Sequence, residues 1–191
     1  VTLRIVDLDR FPVWLAGQDA AIRAWVSANG FDATLGQTLI LPTPEGGVGG
    51  VLAGWGSARA RSRDRFHLAG IAGKLPAGRY RLAVEAADFV PATEALGWLL
   101  GEYRFERYRK AAAARAELIC PPEVDAARIE ALAAAATLAR DLINTPANDM
   151  GPDELEDAAA RLTERCGGEL RVVRDASLAS QFPLVAAVGQ G

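Results

Sequence analysis

Leu138-Ala139-Arg140-Asp141-Leu142-Ile143-Asn144-Thr145-Pro146-Ala147-Asn148-Asp149-Met150-Gly151-Pro152-Asp153-Glu154-Leu155 reads as the end of one helix, a polar turn and the start of another. Upstream, Ile129, Leu132, Ala136, Ala139 and Ile143 follow the i, i+3, i+4 spacing of a buried helical stripe, widened by Leu138 and Leu142. A helix from about Glu123 to Ile143 would run ~30 Å, enough to cross a small domain. Pro121-Pro122 suits its entry. Asn144 is placed to take a left-handed cap, Thr145 is pushed towards extended geometry by Pro146, and Asn148 suits a turn. At Gly151-Pro152-Asp153-Glu154 a proline fits the first helical position, and two carboxylates face the positive end of the dipole. Leu155, Ala158, Ala159, Leu162 and Cys166 carry the second stripe, and Gly167-Gly168 ends it.

Before this junction the pattern alternates strands and helices. Thr2–Leu8 and Tyr80–Glu85 read as strands, as does Glu117–Cys120. Leu39–Leu41 and Val51–Ala53 read as a hairpin around a loop rich in proline and glycine. Pro12–Asn29 predicts a helix anchored by Trp14, Ile22, Trp25 and Val26. Ala92–Tyr103 predicts another, with Leu96, Leu99, Leu100 and Tyr103 on one side. Tyr103, Phe105 and Tyr108 read as packing anchors. After the junction, Leu170–Val173 predicts a strand, Ser177–Gln181 a short helix and Leu184–Val188 a second, all-apolar strand. That order is the opening of a doubly wound parallel sheet. The fold class is α/β.

With 191 residues, half of them hydrophobic and a quarter charged, the chain is globular and can hold one ordinary domain and part of another. A net charge of -3 makes no general case for nucleic acid or membrane surfaces. No apolar run reaches the ~18 residues of a membrane helix.

The glycines of Pro42–Gly50 and of Gly54-x-Gly56 match neither a P-loop nor a dinucleotide fingerprint, and turn punctuation explains them better. Arg59, Arg61, Arg63 and Arg65 form a basic run that could touch a polyanion. Asp64 interrupts it and no aromatic ladder accompanies it, so a solvated face is the better reading. His67, the single histidine, reads as packed or surface. Cys120 and Cys166 lack metal-site spacing and read as reduced, mostly buried thiols. Asp149, Asp153, Glu154 and Asp157 read as helix-start carboxylates, not metal ligands.

Three stretches resemble the leucyl aminopeptidase (cytosol aminopeptidase) family. The first is the junction, from Ala139 to Asn148 and from Gly151 to Leu155. The second is Ala95–Arg109, which ends in Tyr103-x-Phe105-x-x-Tyr108-Arg109. The third is Leu184–Gly191, similar to a strand and Gly-x-Gly ahead of that family's catalytic core. Gly151 departs from the Thr or Ser common there, but glycine still serves as a cap.

The resemblance implies a macro-domain-like three-layer N-terminal domain over 1–122, a linker helix and junction over 123–145, and the truncated start of a peptidase domain over 146–191. Arg140, Asp141, Asn144, Pro146, Asn148 and Pro152 would be structural junction residues. The parent would be a cytoplasmic, homo-hexameric metallopeptidase that removes N-terminal residues, leucine-type, from peptides, with two divalent ions (Mn or Zn) activating water. The family's metal ligands, catalytic lysine and arginine and Asn-Thr-Asp-Ala-Glu-Gly-Arg signature follow the Gly-x-Gly strand. No catalytic or metal residue is therefore expected within 1–191, and this segment alone is expected to bind no metal and to be inactive. It would be a monomer or a dimer paired through the edge of Leu184–Val188. The alternative reading is a nucleic-acid- or nucleotide-binding module working through the arginine run.

Overall fold

The computed structural model describes residues 1–109 and 116–189. It divides into two compact units, Val1–Arg140 and Asp141–Gly191, and the division falls inside one helix.

Unit 1 begins with β1 (Thr2–Asp7), α1 (Phe11–Ala16) and α2 (Ala20–Ala28), followed by the hairpin β2 (Thr38–Pro42) and β3 (Val48–Gly56). Then come α3 (Ala58–Arg61), α4 (His67–Ala72), β4 (Gly78–Glu85), α5 (Pro91–Glu102), β5 (Ala116–Leu118) and the first part of α6 (Ala126–Asn144). The five strands form one sheet in the order β2-β3-β1-β4-β5. β1 lies parallel to both β3 and β4, β4 is parallel to β5, and β2 is antiparallel to β3.

A central parallel strand needs cover on both faces. Leu3, Ile5, Val51, Ala53, Trp55 and Tyr80 pack with Leu68 and Ile71 of α4 and Trp98 of α5. Val6, Leu39 and Leu52 pack with Trp14 of α1, Val26 of α2 and Phe31. The period-2 alternation of the strands thus yields helix, sheet and helix layers.

The glycine-rich stretches do structural work. Gly46 turns the hairpin at φ +82. Across the same turn the Thr43 amide donates to Gly47 O at 2.8 Å, and the Gly47 amide donates to Thr43 Oγ1 at 3.0 Å. At Gly54 an added Cβ would lie 2.1 Å from Thr34 O, because the 33–36 loop lies directly on β3. The expected helix over 12–29 is split into α1 and α2: Asp19 leaves helical geometry and its Oδ1 accepts from the Ile22 amide at 2.8 Å.

Helices α4 and α5 pack closely against each other. Phe66, just before α4, adopts φ 61, ψ 47 and offers no side-chain cap. The cap comes instead from α5, where Glu94 Oε2 accepts from the Leu68 amide at 2.8 Å. On α5, a Cβ at Gly97 would stand 2.6 Å from Phe66 Cβ, and one at Gly101 would stand 3.0 Å from Ala69 Cβ. The buried face of α5 is therefore Glu94, Ala95, Gly97 and Trp98, and the expected leucine stripe is only half-buried. Small residues let the helix backbones approach, which a leucine face would prevent.

The stripe of α6 also differs from expectation. Ile129 is buried and joins Ala95 and Val124, with Leu96, Leu99 and Leu118 packed around them. Leu132 and Ile143 are 45% and 81% exposed.

Unit 2 holds the last turn of α6, then α7 (Pro152–Cys166), α8 (Asp175–Gln181) and α9 (Pro183–Val188). Gly151 caps α7, with Glu154 Oε2 accepting from its amide at 2.9 Å, and Gly167 closes it at φ 63. Two strand expectations fail here. Residues 170–173 carry no regular structure, and 184–188 is helical. A strand needs a partner for its backbone groups, and the described residues of unit 2 contain no strand. In α9 the bonds close locally: the Ala186 amide donates to Phe182 O and the Gly189 amide to Val185 O, both at 3.1 Å. Pro183 fits the first turn. The doubly wound opening is therefore not formed, and edge pairing at 184–188 has no strand edge to use. Gln190 and Gly191 of the third resembling stretch lie outside the described residues.

Two glycine substitutions separate packing from propensity. Gly70 of α4 has nothing within 4 Å of an added Cβ, so Gly70→Ala should stabilise by about 0.5–1 kcal/mol. Gly97→Ala should destabilise by about 1–3 kcal/mol despite the same propensity gain, because Phe66 must move. Urea unfolding of both variants checks this, and a stabilised Gly97→Ala would contradict the α4–α5 packing.

Candidate functional site

The arginine run is not one basic surface. Ser57 caps α3 through its side chain, and the single turn that follows aims Arg61 back at the sheet. Arg61 Nη1 donates to the Trp55 and Gly56 carbonyls, both at 2.8 Å, and Nε donates to Asp88 Oδ2 at 3.0 Å. Its guanidinium lies 5.5 Å from the Trp55 ring centroid. Trp55 Nε1 in turn donates to Asp88 Oδ1 at 3.1 Å. Burial alone would raise the Asp88 carboxyl, but hydrogen bonds from Arg61 and Trp55, with the charge of Arg61, hold it below its ordinary value. Arg61 is consumed in this cluster, and only Arg59, Arg63 and Arg65 are exposed.

Beside the cluster, His67 stands edge-on to Trp55 at 5.2 Å between ring centroids. Next to it is Glu94, 4% exposed. Burial pushes the Glu94 carboxyl up, and the Leu68 amide together with the charge and amide of His67 offset part of that rise. A buried acid of raised pKa is the kind of group that marks catalytic sites. Here both its neighbours are the start of α4, and its contact is a helix cap.

The junction residues serve the backbone. Arg140 Nη1 donates to Leu100 O at 2.8 Å, and its guanidinium lies 5.3 Å from the Tyr103 ring centroid. Arg104 Nη1 takes the next carbonyl, Gly101 O, at 3.0 Å, so two arginines cap the C-terminal end of α5. Asp141 O accepts from the Thr145 amide at 3.0 Å and from Thr145 Oγ1 at 2.6 Å, which closes α6 at Asn144. The turn continues with the Asp149 amide on Pro146 O at 2.9 Å and Asn148 Nδ2 on Asp149 Oδ1 at 3.3 Å, and Pro152 opens α7. Of the packing anchors, Phe105 and Tyr108 meet edge to face at 5.8 Å, but Tyr108 is 56% exposed.

Among the described residues, no group of three or more His, Cys, Asp or Glu side chains could hold a metal ion. Asp153, Glu154 and Asp157 stand exposed along α7. Cys120 and Cys166 are free thiols and both are exposed, not buried as expected. Cys120 lies just past β5 and Cys166 on the last turn of α7, where neither is covered.

Asp88 and Glu94 escaped the sequence reading. Glu94 carried a signal, an acid flanked by Ala95 and Trp98 on an apolar helix face. Asp88 carried none, because its partner stands 27 residues away.

Glu94 makes stability depend on pH with a definite sign. Its folded pKa is raised, so its contribution is full below the ordinary glutamate range and is lost as pH rises through the folded value. Glu94→Gln should remove that decline while keeping the cap. Glu94→Ala should cost about 1–3 kcal/mol at acid pH, because the Leu68 amide loses its acceptor, and less as pH rises through the folded value. Denaturant titrations from acid to neutral pH check this, and an unchanged pH profile in Glu94→Gln would contradict it.

Residues 1–121 match the N-terminal domain of the M17 aminopeptidases. A probable cytosol aminopeptidase of Methylorubrum extorquens is 29% identical over 167 residues, covering 78% of this chain and 33% of that protein. The crystal structure of cytosol aminopeptidase from Coxiella burnetii superposes with a TM-score of 0.85 at 31% identity, covering 100% of this chain and 41% of the other. The bottromycin maturation enzyme BotP, solved in complex with Mn, gives 0.66 at 26% identity, covering 94% and 39%. The chain thus spans a third of the curated relative's length and about two fifths of the solved ones. With its five-stranded sheet and its match over 1–121, the chain belongs to the M17 aminopeptidase family, whose N-terminal domain it carries.

Proposed function

We propose that this chain is the N-terminal portion of a metal-dependent aminopeptidase that removes leucine-type N-terminal residues from peptides, and that it supplies scaffold and not chemistry. The match of residues 1–121 to the N-terminal domain of the M17 aminopeptidases, with a solved relative aligned along the whole chain, supports this reading. In this reading 1–122 is that domain, 123–145 the linking helix and junction, and 146–191 the approach to the peptidase domain.

The parent would use two divalent ions, manganese or zinc; BotP, a relative, is seen with Mn. The described residues of this chain do not fit such a site, because no three candidate ligands converge. What these residues do is structural: Arg140 and Arg104 close α5, and the Asp141–Thr145 bonds set the turn into α7. A cytoplasmic homo-hexamer is proposed for the parent. No helix among the described residues is long and apolar enough to cross a membrane. The nucleic-acid reading loses support with Arg61, which is held by Asp88 and backbone carbonyls.

The test is hydrolysis of leucine p-nitroanilide by the purified chain with Mn²⁺ or Zn²⁺, beside the full-length gene product. Turnover is expected from the full-length protein only. Turnover by this chain alone would overturn the scaffold reading, and an inactive full-length protein would overturn the peptidase reading.

A further inference from the structure

On the sheet face covered by α1 and α2, the cover is incomplete. Val6, Leu39 and Leu52 lie beneath Trp14, Val26 and Phe31. Towards the start of β1, the side-by-side residues are Thr2, Gly50 and Leu41. Over that row lies a cavity of about 550 Å³, within the ~300–1,000 Å³ of small-molecule sites. Gly50 leaves its floor flat, and Ile22 and Trp25 of α2 form one wall.

The polar groups lining it are already oriented by their other ends. Arg4 is paired with Glu85 through Nη1 and lies 6.0 Å from the Trp14 ring centroid. A guanidinium carries five donors, so others remain. Gln18 Nε2 donates to Trp14 O at 3.0 Å, which leaves its Oε1 as an acceptor. Trp25 Nε1 donates to Ile40 O at 2.9 Å, which fixes an indole that is still 43% exposed. Arg4 and Gln18 both touch Trp14, whereas Trp25 is tied to β2. The cavity therefore has a cationic end and an aromatic end, and pre-orientation lowers the entropy lost on binding.

We propose that this cavity binds a small amphipathic monocarboxylate, its ring or branched chain against Trp25, Ile22 and Leu41 and its carboxylate on Arg4. Among the described residues, Arg4 is the only charged one lining it, which disfavours a cationic ligand. Glu85 already offsets part of that charge, which disfavours a polyphosphate.

The probe is 3-phenylpropionate, followed by the Trp25 indole N–H resonance of the whole chain, with 3-phenylpropanamide as the uncharged control. The acid should shift the resonance saturably and bind at least about tenfold tighter than the amide, the worth of one charge-assisted hydrogen bond. Arg4→Gln should erase that preference. Gly50→Val should block both ligands: a Cβ there has room, 3.6 Å from Thr2 O and 3.9 Å from Leu41 Cδ1, and further atoms would enter the cavity. Equal affinity for acid and amide, no saturable shift at millimolar acid, or binding that survives in folded Gly50→Val would overturn the proposal. The acid-to-amide ratio on the unmodified chain decides the matter even where a variant fails to fold.

Discussion

The Glu94 carboxylate on the Leu68 amide is the interaction on which unit 1 depends. Helix α4 is only six residues long and starts from a phenylalanine in left-handed geometry. Such a helix has little stability of its own and no local cap. Its first amides must find an acceptor in the interior, and α5 supplies one. That requires α5 to come close, which Gly97 and Gly101 permit. Once docked, the pair covers one face of the sheet with Leu68, Ile71 and Trp98, all fully buried. The start of α4 also places His67 against Trp55.

The polar groups around this contact are held in the same way, whether buried, as Glu94 is, or half-exposed, as the Asp88 side chain is. Glu94, Asp88 and Arg61 are the features a search for catalysis would select first. Each is used by the backbone or by another member of the set. Glu94 caps a helix, Asp88 orients Trp55 and Arg61, and Arg61 holds two carbonyls at the end of β3. Arg140 and Arg104 do the same at the end of α5. A domain of this family can thus contain perturbed acids and partly buried or exposed arginines that hold the ends of strands and helices.

Local signals were legible in the sequence and long-range ones were not. The apolar runs Leu39–Leu41 and Val51–Ala53 around a loop rich in proline and glycine placed the β2–β3 hairpin. Gly151-Pro152 and Gly167 bounded α7 because caps are written in adjacent residues. The Gly54-x-Gly56 stretch was separable from a phosphate loop by spacing alone. By contrast, Arg61 looked like its neighbours Arg59 and Arg63, and only the fold brings Asp88 to it. The leucines of α5 looked like its buried face because side-chain size does not reveal that glycines permit the closer approach. Leu184–Val188 read as a strand because a short apolar run carries no period that distinguishes strand from helix. Family resemblance was the clearest signal, carried by the turn chemistry around Asn144–Pro152 and the aromatic run after α5.

Amide hydrogen exchange at Leu68 tests the central claim most directly, that the buried acid of unit 1 is a structural cap. If Glu94 caps α4, the Leu68 amide should be protected to the same level as the Ile5 amide of β1, opening only with global unfolding. In Glu94→Ala that protection should fall while Ile5 stays slow. A Leu68 amide that exchanges like an exposed loop residue in the unmodified protein, with Ile5 protected, would contradict the account.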